Sequence, residues 1–94
     1  MTIMMGAKTP ENADPVLSSE DMYRLGLVAS TGGEAGELDL ITAHKWFNLA
    51  AMQGNQEARA YRAELANEMT TEEIAEAQRQ ARTFLSEHRA KFHA

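Results

Sequence analysis

The stretch from Ala43 to Ala58, AHKWFNLAAMQGNQEA, restricts this chain more than any other part of it. Ala43, Trp46, Ala50 and Ala51 recur at helical spacing, which gathers three small side chains and one large ring on one side of a helix. Alanines there let a second helix approach closely, and the indole fills the space left between the backbones. Gly54 follows as a left-handed helix stop, and Asn55 as the cap of the next helix. The pattern is that of two helices packed through a short turn, and it shows no catalytic motif.

The rest of the sequence extends this reading. Ser18 or Ser19, followed by Glu20 and Asp21, opens a first helix that runs to about Ser30, with acids near the positive end of its dipole. Its apolar positions Met22, Leu25, Gly26 and Ala29 have the spacing of a buried face. Gly26 costs about 1 kcal/mol against Ala inside a helix, so a close crossing by a neighbour is its simplest justification. Asp39 caps a second helix through Met52. A third spans about Gln56 to Glu68 and buries Ala58, Tyr61, Leu65 and either Ala66 or Met69.

Thr70 with Glu73 forms a capping box, the clearest helix start in the chain. The fourth helix places Ile74, Ala77, Ala81, Phe84 or Leu85, and His88 on one stripe, with Arg79, Gln80 and Arg82 elsewhere; Arg89 and Lys91 suit its carboxyl end. No segment alternates with period two, so the expected fold is all-α, two antiparallel helix hairpins in series. Residues 1–16, with Gly6, Pro10 and Pro15 among small and polar residues, read as a flexible arm, and residues 17–94 as one helical domain. The arm's Ile3, Met4 and Met5 are the part of it suited to docking on a partner.

The same residues resemble a known family, the Sel1-like repeats, relatives of the tetratricopeptide repeats. Leu25 and Gly26 match the family's LG pair, Gly32 and Gly33 open its glycine-rich loop, and Asp39 precedes Ala43, Trp46, Phe47, Ala50, Ala51, Gly54, Asn55 and Ala58. The first half departs from the pattern in Asp21, Ala29 and a loop one residue longer. The resemblance covers about residues 21 to 58 and implies an α-α repeat, with the third and fourth helices as a degenerate second unit and C-terminal cap. It also implies a non-catalytic module that binds a protein or peptide on the surface lined by the first helices of its hairpins. Tyr23, Leu27 and Ser30 are the binding candidates on that surface, although a second contact with helix three or four explains them nearly as well. Self-association, a second copy covering the open face, is the alternative.

Composition supports the same class by exclusion. A chain of 94 residues holds one small core, and with no cysteine it forms no disulfide, Cys-based zinc site or thiol nucleophile, which suits a reducing compartment such as the cytoplasm. The start lacks the basic segment and apolar length of a secretory signal, and no window reaches the ~18 apolar residues of a membrane span. A net charge of −5 argues against nucleic acid as a partner. Residues 71–94 hold four acids and four bases, so the negative excess lies before them, and a basic partner is expected on the arm and first hairpin.

No chemistry-bearing group stands out. The loop TGGEAGEL lacks the Gly-Lys-Ser/Thr of a phosphate loop and puts Glu34 and Glu37 where a phosphate would sit. His44 reads as a surface residue, and His88 and His93 are five apart, a poor spacing for one metal. Glu72 and Glu73 lie at a helix start, without the pocket that acid–base work needs. Trp46 reads as a core residue inside the first hairpin more than as a binding hot spot. No catalytic residue, cofactor or metal is expected.

Overall fold

The computed structural model describes residues 17–33 and 36–88. They form four helices, α1 (Ser19–Thr31), α2 (Leu40–Met52), α3 (Gln56–Ala66) and α4 (Thr71–Glu87), with no strand among the described residues. The fold is all-α. The arm at 1–16 and Glu34, Arg89, Lys91 and His93 lie outside the described residues.

Each helix starts where a short polar side chain satisfies free amides of the first turn. Ser18 accepts from the Asp21 amide at 3.0 Å while the Asp21 carboxylate accepts from the Ser18 amide at 3.1 Å, and Thr70 and Glu73 repeat this reciprocal box at 3.0 and 2.9 Å. Asp39 accepts from the Thr42 amide at 3.0 Å and from its hydroxyl at 2.7 Å, and Asn55 accepts from the Ala58 amide at 2.8 Å.

The helix ends are as specific. Gly54 has φ 97°; its amide donates to Ala51 and the Asn55 amide to Ala50, the paired bonds of a Schellman stop, which leaves only three residues between α2 and α3. Gly32, at φ 87°, closes α1 by donating to Val28, and the Asp39 amide donates to Ala29 at 2.8 Å, tying the start of α2 to α1. Helix three ends at Ala66, two residues before the expected Glu68.

The core consists of Met22, Ala43, Phe47, Leu49, Ala50, Ala58, Leu65, Met69, Ala77 and Ala81. It centres on α2, which packs against α1, α3 and α4, whereas α3 and α4 have no comparable contact with each other. The expected second hairpin is therefore two helices leaning separately on α2. The fourth helix buries Ala77 and Ala81 with Ile74, Phe84 and Leu85 partly covered, the stripe that its spacing predicts.

Four expectations change. Phe47, not Trp46, occupies the interior of the first hairpin: it is fully buried, and a Cβ at Gly26 would lie 2.5 Å from its Cε1, so the missing side chain of Gly26 is the notch that receives the ring. Trp46 turns instead toward α4, where its ring meets Phe84 edge-on at 5.2 Å. His44 is buried at 3% exposure rather than solvated, because α3 and α4 cover that flank of α2. Tyr61 and Leu25 are 42% and 38% exposed rather than buried, since α3 turns Ala58 and Leu65 inward and α1 turns Met22 and Gly26 inward.

Candidate functional site

Tyr23, Leu27 and Ser30 all lie on the α2 side of α1 and are half-buried. The Tyr23 ring sits 6.0 Å from both Phe47 and Tyr61, and Phe47 stacks on Tyr61 at 5.4 Å with 18° between planes. Three rings from α1, α2 and α3 thus form one cluster, with Phe47 as its floor and Tyr61 as its most open member. Leu27 packs against the core beside it. Ser30 spends its hydroxyl on its own helix, donating to the Leu27 carbonyl at 2.9 Å. Partial burial, with Tyr61 and the acids Glu57 and Glu20 nearby, pushes the Tyr23 phenol above its ordinary range, so it stays a neutral hydrogen-bonding group.

On the other flank of α1, Leu25 and Val28 stand one turn apart and exposed, Val28 at 55%. Their positions around the helix differ from that of Tyr23, so α1 carries two distinct apolar surfaces.

A second arrangement lies along α2 and α4. Lys45 Nζ stands 4.4 Å from the Trp46 ring centre and 5.9 Å from that of Phe84, and Phe84 stacks on His88 at 4.1 Å. His88 Nδ1 lies 2.8 Å from the Phe84 carbonyl. Beside them, Arg79 donates from Nε and Nη2 to both oxygens of Glu76, and Gln80 adds a third donor; these bonds hold the Glu76 carboxyl down at about 2. Arg79 and Glu76 there satisfy each other, while Lys45 faces the two rings.

A third region, a depression of about 400 Å³, opens between α2, α3 and α4. His44 and Asn48 come from α2, Arg62, Ala63 and Ala66 from α3, and Ile74 and Gln78 from α4. Arg62 Nη1 donates to Asn48 Oδ1 at 2.7 Å. His44 Nδ1 is buried without a hydrogen-bond partner, and desolvation, reinforced by the Arg62 charge, lowers the imidazole pKa so that the ring is neutral near pH 7. The one-turn spacing of His44 and Asn48 was available in the sequence, but the approach of Arg62 and Gln78 follows from how α3 and α4 lean on α2.

A last depression, rimmed by Glu37, Asp39 and Glu73, holds two acids already engaged as helix caps. Among the described residues no three His, Cys, Asp or Glu side chains converge as metal ligands, and no helix is long and apolar enough to cross a membrane. Compared with known proteins, the chain matches no family model, no curated protein and no solved structure.

Proposed function

We propose that this chain is a non-catalytic interaction module of the Sel1-like kind, which holds a segment of another protein against the side shared by α1 and α3. The observation that supports this reading is the aromatic cluster. Tyr23 and Tyr61 come from the first helices of the two expected repeat units, their rings are 6.0 Å apart, and Tyr61 is 42% exposed above a buried Phe47. Tyrosines backed by a rigid floor give a partner large contact area at small entropic cost, with hydroxyls left for its backbone. Leu27 extends the same surface along α1.

A second reading, self-association as a structural module, draws on Leu25 and Val28, an exposed apolar pair on the other flank of α1. Two measurements separate the readings. Solution mass by light scattering over a dilution series is expected to give a monomer throughout; a dimer abolished by Val28→Asp establishes the second reading instead. A displayed peptide library selected on the protein is then expected to yield binders that lose at least tenfold in affinity on Tyr61→Ala and keep it on Val28→Ser. Binders indifferent to both Tyr61→Ala and Tyr23→Ala overturn the proposal.

A further inference from the structure

The depression between α2, α3 and α4 takes no part in that reading, and its chemistry is of a different kind. We propose that it is a binding site for a small molecule bearing an oxyanion, a carboxylate or phosphate group, held by Arg62, Asn48 and Gln78 against the wall formed by His44.

The lining holds a guanidinium, two carboxamides and an imidazole, and no acidic side chain. Among the described residues Arg62 has no carboxylate partner; its hydrogen bond goes to the neutral Oδ1 of Asn48, and its four remaining N–H groups are left for other acceptors. Because Asn48 accepts from Arg62 through its oxygen, what it has left to offer a ligand is its NH₂ group. Gln78, exposed at the rim, adds a further carboxamide. Donors therefore outnumber acceptors, and a planar guanidinium fork favours an oxyanion among possible guests.

His44, in the wall of the depression, supplies a reporter of its occupancy. A polar ring at 3% exposure with an unpartnered Nδ1 leaves a hydrogen-bonding group unsatisfied, a rare condition in a folded protein. Arg62 is the charged residue that lines the depression beside this ring; Asn48 from α2 and Gln78 from α4 are neutral. An anion beside Arg62 cancels the repulsion that Arg62 exerts on an imidazolium, so proton uptake by His44 accompanies binding. A volume of about 400 Å³ exceeds what one oxyanion needs, and Ala63, Ala66 and Ile74 provide apolar walls for the rest of the molecule.

The test is a nuclear magnetic resonance titration of the whole chain with inorganic phosphate and, separately, with succinate, against sodium chloride at matched ionic strength. The expected result is a saturable shift of the His44 ring and the Asn48 and Gln78 side-chain amides with one of the two probes, together with a higher His44 titration midpoint. The preferred probe identifies the oxyanion class. Arg62→Gln is expected to weaken that binding at least tenfold, and Arg59→Gln, exposed on the same helix, to leave it within twofold. Should Arg62→Gln unfold the chain, Gln78→Ala serves in its place with an expected loss of threefold or more. Shifts that do not saturate, that chloride reproduces, or that survive both the Arg62 and Gln78 substitutions overturn the proposal. None of these residues belongs to the Tyr23–Tyr61 surface, so either proposal can fail without the other.

Discussion

Substituting Gly26 by Ala tests the central packing claim most directly. In an exposed helix this change stabilises by about 1 kcal/mol, because alanine is the better helix former. Here the new methyl would stand 2.5 Å from Phe47 Cε1, 2.6 Å from Cδ1 and 3.0 Å from Cζ, against ordinary carbon contacts of about 3.5 to 4.0 Å. The ring has to retreat by about 1 Å, and it has little room: it is fully buried, stacked on Tyr61 and flanked by Tyr23.

Overpacking of this severity belongs at the upper end of the usual range, about 3 kcal/mol, which less the helix gain leaves a net loss of about 2 kcal/mol. For a domain of this size that is a drop in Tm of roughly 8 to 16 °C. Urea unfolding followed by helical ellipticity measures it, with an unchanged slope as the sign that the unfolded state is unaffected. A double-mutant cycle with Phe47→Leu assigns the cause: relief of the clash should couple the two sites by at least about 1 kcal/mol. A Gly26→Ala protein as stable as the parent, with additive effects in the cycle, would show that the notch does not exist.

Four further outcomes follow from the geometry. Gly54→Ala should cost about 1 to 2 kcal/mol from its positive φ alone, since a Cβ there meets open space, and Gly32→Ala should cost more, since its Cβ would lie 2.5 Å from the Glu37 amide nitrogen; the order of their thermal midpoints checks this. His44 titrates at lower pH folded than unfolded, so the unfolded chain binds the extra proton first; stability should therefore fall as pH drops below about 6.5, and a denaturant series from pH 7 to pH 5 should lose that slope in His44→Phe. The caps depress the carboxyls of Asp21 and Asp39 through the Ser18 and Thr42 hydrogen bonds. Their contribution is present above the ordinary value of 3.8 and lost as pH falls through the lower folded value, so acid titrations of Asp21→Asn and Asp39→Asn should flatten below pH 4. Phe84→Ala should open the Trp46 indole to solvent and red-shift its fluorescence while most of the helical ellipticity remains.

The parts legible in the sequence are those decided within one turn of chain. The Thr70–Glu73 box, the Asp39 and Asn55 caps and the Gly54 stop each depend on residues three to five apart, and nothing distant competes with them. The phase of α2 was not legible in this way. A helix touched by three neighbours has little polar face to show which residues point inward, so the small-residue pattern points to Trp46 as the interior ring, and only the notch at Gly26 gives that place to Phe47. The burial of His44 and its meeting with Arg62 and Gln78 have the same origin, because they depend on the separate tilts of α3 and α4. The position of Tyr23 and Leu27 beside the buried stripe marks them in the sequence, but their companion Tyr61 reads as core there, because one apolar spacing serves equally for a covered residue and for a ring left half in water.

The dependence of every helix on α2 also sets the order in which the chain can assemble. Closing α1 or α3 onto α2 requires only a short connection to be pinned, so those pairings carry a small loop-closure cost. The fourth helix reaches α2 only after α3 and its turn have been laid down between them, and it finds little support from α3 on the way. Assembly should therefore start from α1, α2 and α3, with contacts near in sequence and correspondingly fast, and finish with α4 swinging onto a surface already formed. The last helix to arrive is also the one that roofs His44 and covers Trp46, so both side chains remain wet until the final step.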